Sequence, residues 1–361
     1  MTIDFLALAR PELRRLEAYR PAGYEPDCVR LNANEAPWRA PNDDSERGLN
    51  IYPPPRPLAL TERLASHYGV TPDSLLITRG SSEAIDLLVR GFCVPGQDDI
   101  LICPPTFGMY QVYAAIQGAG VRRVPLQREH GFALDDAGVI AAANNGPVKL
   151  VFLCSPNNPT GNVLDRDAVE RVCVAMAERG LVVLDEAYVD FVASGSLLEL
   201  RERHPHLVVL RTLSKAHGLA GARCGSLLAA PAVVELLTRM LPPYGLPTPS
   251  LEAALASLEG DTVALMRERI EGLRRERARV AEALEGMPQI RRVHPSEANF
   301  LLIETDAPGQ LVAAARARGI LIRDFSADPD LPPGCLRISI GTPEQNDRLL
   351  GALTPERRGH G

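Results

Sequence analysis

The strongest constraint on the fold of this 361-residue chain is a regular alternation that begins near residue 58. Helical stretches, such as Leu58–Tyr68 and Ser82–Phe92, alternate with short apolar runs. Continuous runs of β-branched residues and leucine are typical of strands that are buried on both faces. The runs expected to form strands are Ser74–Thr78, Asp99–Cys103, Leu150–Cys154, Leu181–Asp185, Leu207–Arg211 and Ser226–Ala230. The alternation therefore predicts an α/β fold of three layers, with a mainly parallel sheet between two layers of helices.

Proline-rich segments and changes of pattern suggest how the chain divides into domains. Residues 1–50 are irregular apart from a short helical stretch at Pro11–Tyr19, and we expect an N-terminal arm that also contributes to a small domain. The large domain is expected over 51–245, because a Pro-rich segment near residue 245 ends the alternation. A small α+β domain is expected over 246–361, with a long helix at about 250–286, strands near 299–303 and 335–340, and a helix near 308–318.

Charge and cysteine content exclude several classes of protein. The 39 basic and 45 acidic residues give a net charge of −6, so there is no basic field for a nucleic-acid partner. No apolar run approaches the roughly 18–20 residues that span a bilayer, and the first ten residues do not resemble a signal peptide. Seven scattered cysteines without a C-x-x-C pair indicate reduced thiols, no metal site and a cytoplasmic location.

Lysine is almost absent from this chain. Only Lys149 and Lys215, two of the 39 basic residues, are lysine; the others are arginine. Lysine differs from arginine because its amine can lose a proton near neutral pH and attack a carbonyl. Lys149 follows the turn-forming residues Asn144–Pro147 and is expected to be an exposed charge. Lys215 is therefore the candidate for amine chemistry.

In a parallel α/β sheet the chemistry lies beyond the carboxyl ends of the strands, so the residues that follow each strand are the main candidates for a functional site. Ser81 and Ser82 open a helix after the first strand, where free backbone amides can bind a phosphate, although an ordinary helix cap also explains them. Phe107 follows the second strand and can stack on a flat ring or pack into the core.

The next strand ends carry polar groups. Asn158 lies in a loop rich in Pro and Asn that is a turn by default, yet its amide can bond a ligand oxygen. Asp185 ends an apolar strand, so its carboxylate is expected to be buried and to need a partner. Either a protonated heterocyclic nitrogen or a structural arginine would serve. The loop after the fifth strand contains Lys215, and Arg223 follows eight residues later among small residues. A lysine that forms an imine and an arginine that holds a phosphate fit this layout.

Taken together, these motifs resemble those of the fold-type I pyridoxal-phosphate enzymes, the aspartate aminotransferase superfamily. The shared pattern is Asn158-Pro159-Thr160-Gly161, then Asp185-x-x-Tyr188, then Ser214-Lys215, then Arg223, in this order. Within the superfamily the chain is most similar to the histidinol-phosphate aminotransferases. The matching stretches include Leu31–Glu35, Tyr52-Pro53, Cys103–Tyr110, Cys154–Gly161, Thr212–Ala216, Leu219–Gly225 and Gly334–Thr342. The resemblance covers roughly residues 30–345 and implies the three-layer fold of these transferases.

The resemblance implies that pyridoxal 5′-phosphate is the cofactor, carried by Lys215 as a Schiff base. Lys215 would also move the proton between the substrate carbon and the cofactor. Asp185 would pair with the pyridine nitrogen and keep it protonated. Asn158 and Tyr188 would bond the ring oxygen, and Phe107 would stack on the ring. The catalytic residues would then be Lys215, Asp185 and Tyr188.

The resemblance also assigns the ends of the cofactor and of the substrate. The cofactor phosphate would be held by Ser81, Ser82, Thr212, Ser214 and Arg223. Tyr52 would reach the phosphate in the other subunit, which implies a homodimer. The substrate side would consist of Tyr19, Asn34, Arg323 and Arg337, with the two arginines binding an acidic group. That group would be the phosphate of histidinol phosphate, or a carboxylate of glutamate or 2-oxoglutarate.

Three other functions share these motifs in part. Aromatic amino-acid aminotransferases use the same chemistry on another amine. The threonine-phosphate decarboxylase of cobalamin synthesis would release CO₂ in place of a keto product. A regulator that only senses pyridoxal phosphate would need a DNA-binding module, and the first ~30 residues are too short and carry no basic recognition helix. The sequence therefore favours an aminotransferase that acts on histidinol phosphate and 2-oxoglutarate.

Overall fold

A central seven-stranded sheet organises the computed structural model, which describes residues 4–23, 25 and 28–354. Its strands are β1 (Leu75–Thr78), β2 (Asp99–Ile102), β3 (Gly120–Arg123), β4 (Val148–Cys154), β5 (Leu181–Asp185), β6 (Leu207–Thr212) and β7 (Gly225–Leu228). The order across the sheet is β1-β7-β6-β5-β4-β2-β3. The neighbouring strands β3, β2, β4, β5 and β6 all pair in parallel. Strand β7 pairs antiparallel with β1 on one side and with β6 on the other. The sheet is mainly parallel, as the sequence predicts.

Helices cover both faces of this sheet, because successive side chains of a strand point to opposite sides. The helices are α1 (Phe5–Leu8), α2 (Leu58–Tyr68), α3 (Ser81–Phe92), α4 (Met109–Gln117), α5 (Asp136–Asn144), α6 (Arg166–Met176), α7 (Pro231–Met240), α8 (Thr248–Ala256), α9 (Gly260–Glu285), α10 (Pro308–Ala317) and α11 (Pro343–Leu353). Leu150 and Phe152 of β4 pack in a cluster with residues of α1, α3, α4 and α7. Val151 and Leu153 of the same strand pack in another cluster with residues of α5 and α6.

A second, antiparallel sheet belongs to the C-terminal part of the chain. Its strands are β8 (Ile290–Val293), β9 (Phe300–Thr305), β10 (Arg323–Asp324) and β11 (Cys335–Ser339), in the order β10-β11-β9-β8. Helices α9, α10 and α11 pack on it around Leu284, Leu311 and Leu349. This α+β unit agrees with the expected small C-terminal domain, while the boundaries at residues 50/51 and 245/246 remain predictions.

Two helices differ from the expectation. In place of a helix over Pro11–Tyr19 there is one 3-10 turn at Pro11–Leu13, and the Arg14 side chain donates hydrogen bonds to the carbonyls of Ala7 and Ala9. These bonds hold the segment against the end of α1. The long helix expected at about 250–286 is divided into α8 and α9. Ser257 caps α8, with its hydroxyl donating to the Ala254 carbonyl, and the backbone is extended at Glu259 before α9 begins. Within the described part of the chain, none of the helices has the length and apolar character to cross a membrane.

Candidate active site

One cavity lies where β4, β5 and β6 end, at the carboxyl edge of the parallel sheet. Its lining residues are Ser81, Ser82, Phe107, Cys154, Asn158, Asp185, Ala187, Tyr188, Thr212, Ser214, Lys215 and Arg223. Ten of these twelve are residues that the sequence analysis selected. Parallel neighbours place their ends side by side, so residues far apart in the chain converge here.

Lys215 is the only lysine that lines this cavity. Its Nζ lies 5.3 Å from the centre of the Tyr188 ring. Partial burial is the main factor that lowers the pKa of the Lys215 amine, and the guanidinium groups of Arg337 and Arg223 lower it further. The carboxylate of Asp185 acts in the opposite direction. The amine is therefore more easily deprotonated than a surface lysine, as a nucleophile or base requires.

Asp185 lies at the end of β5 with its side chain almost completely buried. Its Oδ2 accepts a hydrogen bond of 2.8 Å from the Tyr110 hydroxyl, and its Oδ1 accepts one of 3.1 Å from the Ala187 amide. Burial raises the pKa of the Asp185 carboxyl to about 6, while these two hydrogen bonds lower it. The carboxyl is thus ionised near pH 7 despite its burial. An ionised carboxylate held in this way is suited to a cationic ligand group.

The opposite end of the cavity is an anion cradle. Helix α3 begins at Ser81, and the amides of its first turn have no acceptor within the helix. Gly80 has φ of +77°, and a Cβ on Gly80 would lie 2.5 Å from the Arg223 guanidinium. A Cβ on Gly225 would lie 2.6 Å from the backbone of Gly80. Only glycine at both positions lets Arg223 and the helix N-terminus come together, which concentrates positive charge at this end.

The loop after β6 completes the cradle. The Ser214 amide donates to Thr212 Oγ1 over 3.1 Å, and Arg223 Nη1 donates to Ser214 Oγ over 3.4 Å. Arg223 itself has φ of +54°, a left-handed backbone that is uncommon for a residue with a side chain. Such strain is retained mainly where function requires it. The hydroxyls of Thr212 and Ser214 therefore sit beside a guanidinium that is held in place by the backbone.

Asn157 holds together the two loops that present Phe107 and Asn158. The buried Asn157 amide nitrogen donates to the Pro105 carbonyl over 2.8 Å, and Thr106 donates to its side-chain oxygen over 3.1 Å. The loops after β2 and β4 are therefore fixed to each other. Sequence reasoning treated Asn157 only as part of a motif, because its partners lie about fifty residues away.

Two arginines from the C-terminal sheet lie next to the cavity. Arg323 and Arg337 face each other in the β10–β11 pairing, so their side chains lie on the same face of the sheet. Both guanidinium groups stack near the Phe325 ring, at 5.4 and 5.5 Å from its centre. Arg337 also donates a hydrogen bond to Asn158 Oδ1, which links this pair to the cavity. Within the described residues neither arginine forms a salt bridge, so the pair can receive an anion.

Besides these two arginines, three more predicted site residues do not line this cavity within one chain. Tyr19 is 69% exposed on the arm. Asn34 and Tyr52 line a separate groove that also contains residues 247–249. The Tyr52 ring stacks on Tyr244 with ring centres 4.7 Å apart. Their predicted roles stay predictions.

Two residues next to Asp185 escaped the sequence analysis as functional groups. Tyr110 contacts Asp185 from α4, and Cys154 is the register partner of Asp185 in the β4–β5 pairing. The signal for Tyr110 is weak, since a tyrosine in the first turn of an apolar helix is typical of the core. Cys154 could have been found from its place as the last residue of a predicted strand.

Comparisons with known proteins agree with this geometry. Residues 16–353 match the family model of class I and II aminotransferases. Over 358 residues the chain is 47% identical to a histidinol-phosphate aminotransferase of Stenotrophomonas maltophilia (strain R551-3), covering 98% of both chains. Over 356 residues it is 45% identical to that of Xylella fastidiosa (strain 9a5c), covering 98% of this chain and 97% of the relative. The structure of a histidinol-phosphate aminotransferase from Sinorhizobium meliloti in complex with pyridoxal-5′-phosphate matches with a TM-score of 0.76 at 26% identity, over 84% of this chain and 82% of that one.

The fold and the site thus define an enzyme of the aminotransferase class, and the chain belongs to the class I and II aminotransferases. This assignment confirms the predicted transferase fold. Within that class the chain is a member of the histidinol-phosphate aminotransferase family, as its full-length identity to these relatives shows.

Proposed function

We propose that this chain is a pyridoxal-phosphate-dependent aminotransferase that exchanges the amino group between L-histidinol phosphate and 2-oxoglutarate. The observation that carries the proposal is one cavity that brings together the amine of Lys215, the carboxylate of Asp185 and the cation of Arg223. These are the groups needed to bind an aldehyde, a basic ring nitrogen and a phosphate. Full-length similarity to the histidinol-phosphate aminotransferases supports the choice of substrate.

The donor set of the cavity fits the cofactor. Lys215 would hold it covalently through its amine, and Asp185 would bind the ring nitrogen. The helix α3 amides with Thr212, Ser214 and Arg223 would hold the phosphate. When bound, pyridoxal phosphate supplies an electron sink that stabilises negative charge on the substrate carbon.

The chain's own residues would then perform two tasks. Burial lowers the pKa of the Lys215 amine. This amine would take the proton from the substrate carbon that carries the amino group, and in the other half-reaction it would deliver a proton to the carbon that receives the amino group. The ionised Asp185 would keep the ring nitrogen protonated. Tyr188 and Asn158 would donate hydrogen bonds to the ring oxygen, and Phe107 would confine the ring from one side.

The substrate end would be bound by the arginine pair. Arg337 and Arg323 face each other across β10 and β11 without a carboxylate partner among the described residues. A guanidinium forms two parallel hydrogen bonds with a carboxylate or phosphate. The same pair would thus accept the phosphate of histidinol phosphate in one half-reaction and a carboxylate of glutamate or 2-oxoglutarate in the other.

A half-reaction without keto acid tests the proposed substrate. Holoenzyme would be mixed with L-histidinol phosphate, or with L-phenylalanine at the same concentration, and the visible absorbance of the cofactor followed. We expect a fast loss of absorbance with histidinol phosphate and a slow loss with phenylalanine. Only histidinol phosphate carries a phosphate dianion that the arginine pair can bind.

The other outcomes separate the alternatives. A fast loss with phenylalanine alone would make the protein an aromatic amino-acid aminotransferase. Release of CO₂ from threonine phosphate, without conversion of 2-oxoglutarate to glutamate, would indicate the decarboxylase. No response from a protein that binds pyridoxal phosphate would keep the cofactor site and reject the substrate.

We also propose that the enzyme acts as a homodimer with shared sites. Large apolar side chains of the arm are exposed in the single chain, among them Leu31 (89%) and Trp38 (71%). Such apolar exposure on one segment is typical of an interface. Tyr52 lies away from the cavity of its own chain, its ring stacks on Tyr244, and its backbone amide donates a hydrogen bond to Glu35 Oε1. A second copy would receive Tyr52 at its phosphate cradle.

A hybrid dimer tests this sharing. One subunit would carry Lys215→Ala and the other Tyr52→Phe, and the hybrid would be purified through two different tags. If Tyr52 acts on the partner's cavity, one of the two sites is intact and turnover is about half that of the wild type. The matched control hybrid pairs Lys215→Ala/Tyr52→Phe with the wild-type chain, so its only lysine-containing site lacks the Tyr52 hydroxyl. Low turnover of the first hybrid and high turnover of the control would place Tyr52 in its own subunit.

A cytoplasmic location completes the proposal. All seven cysteines are free, and six of them are buried. Free thiols are typical of a reducing compartment.

A further inference from the structure

A tyrosine outside the predicted site makes the closest polar contact to Asp185. The Tyr110 hydroxyl donates to Asp185 Oδ2 over 2.8 Å, and Tyr110 has no exposed surface. Its ring stacks on Phe152, with ring centres 4.7 Å apart and an angle of 16°. It meets Phe107 edge to face at 5.6 Å. Tyr110 therefore contacts two of the groups that are proposed to touch the cofactor ring, Asp185 and Phe107.

We propose that Tyr110 is a positioning residue that holds Asp185 as an ionised carboxylate, ready to bind the protonated ring nitrogen of the cofactor. This inference rests on the proposed function, since it presumes a basic heterocycle as the ligand. Tyr110 itself acts only through Asp185 and Phe107. The Tyr110 hydroxyl has a role beyond core packing, because a buried carboxylate is stable as an ion only when hydrogen-bond donors replace water.

The hydrogen-bond arrangement supports the assignment. Each Asp185 oxygen accepts one donor from the protein, Tyr110 on one and the Ala187 amide on the other. These bonds fix the rotation of the carboxylate about its last torsion, and each oxygen keeps a lone pair for a ligand. Without the hydroxyl, one oxygen loses its donor, so the neutral form is favoured and the group is free to turn.

Other charged and titratable groups face Asp185, and they limit what a pH profile can mean. They are Tyr110 from α4, Cys154 from β4, the neighbouring Glu186, Tyr188 just after β5, and Lys215 from the loop after β6. Burial raises the pKa of the two tyrosines and of the Cys154 thiol, so these groups stay neutral below pH 9. Asp185 and Glu186 are the carboxyl groups of this set.

The test uses Tyr110→Phe, which keeps the ring stack and removes only the hydroxyl. Pyridoxamine 5′-phosphate is the probe, because it binds without a covalent bond to lysine, and calorimetry gives its Kd. At pH 6 we expect the variant to bind about tenfold more weakly than the wild type, since a hydrogen bond to a charged group is worth roughly one factor of ten or more. At pH 8.5 the ratio should fall to about threefold or less, because the carboxyl is then ionised in both proteins.

A second ligand separates positioning from a merely structural role. The 1-deaza analogue of pyridoxamine 5′-phosphate has C–H in place of the ring nitrogen and keeps the phosphate. We expect the variant and the wild type to bind this analogue within about twofold of each other. Equal losses for both ligands at both pH values would overturn the inference in favour of a packing defect, and no loss for either would also overturn it.

Two further variants serve as controls. Tyr113→Phe removes another hydroxyl from the same helix and should leave both affinities unchanged. In an Asp185→Asn background the Tyr110→Phe change should lose its pH-dependent effect, and an effect that persists would assign it to Glu186 or another group. Wild-type protein that binds neither ligand would reject the proposed function, whereas wild-type binding with no difference in Tyr110→Phe would reject only the role of Tyr110.

Discussion

Replacement of Lys215 by alanine should lower turnover by about 10⁴-fold or more while the fold is retained. The amine has two tasks in the proposed reaction, since it binds the cofactor and moves the substrate proton. No other lysine lines the cavity, and arginine keeps its proton at any working pH. Steady-state turnover of histidinol phosphate and 2-oxoglutarate gives the rate, and circular dichroism checks the fold.

Two matched variants sharpen this result. Lys215→Arg retains the positive charge but cannot supply a free amine, so it should be as inactive as Lys215→Ala. Lys149→Ala removes the only other lysine, which lies on β4 away from the cavity, and should leave turnover unchanged. Turnover near the wild-type rate in Lys215→Ala would contradict the proposed mechanism.

Replacement of Arg337 by alanine should raise the KM for both substrates by about 10- to 100-fold, with a smaller change in kcat. Arg337 is held by Asn158 and by the faces of Phe300 and Phe325, so its guanidinium is already oriented before an anion binds. A loss that appears in KM is typical of binding that the ground state and the transition state share.

Neighbouring arginines serve as controls for this variant. Arg323→Ala removes the facing guanidinium and should raise both KM values by a smaller factor, since Arg323 is the more exposed of the two. Arg318→Ala removes an exposed charge at the end of α10 and should change neither KM. If both KM values of Arg337→Ala equalled those of the wild type, the arginine pair would not be the anion site.

Much of the cavity could be predicted from the sequence, for a physical reason. Parallel strands place their carboxyl ends along one edge, so Asp185 and Lys215 had to converge once their strands were recognised. The scarcity of lysine then separated Lys215 from ordinary surface charges. The anion cradle followed from the short loop that places Ser81 at the start of a helix.

Other contacts could not be predicted, because they depend on packing between distant segments. Tyr110 reaches Asp185 across 75 positions of sequence, and a tyrosine on a helix face gives no sign of its partner. The break between α8 and α9 is an extended residue, Glu259, beside Leu258, which packs into the core, while the sequence reads as one helix. That Arg323 and Arg337 face each other can be known only from the register of β10, a strand of two residues.

The short strand β10 couples the affinity for substrate to the stability of the second sheet. β10 is an edge strand of two residues, and its neighbour in the sheet is β11. Repulsion between the facing Arg323 and Arg337 opposes this pairing, and a substrate anion bound between them, as proposed, would reverse the sign of that contribution. Part of the free energy of substrate binding would then go into keeping the edge strand in register. A substitution that loosens β10 would weaken substrate affinity without touching the substrate, and a bound phosphate would slow amide hydrogen exchange along β11.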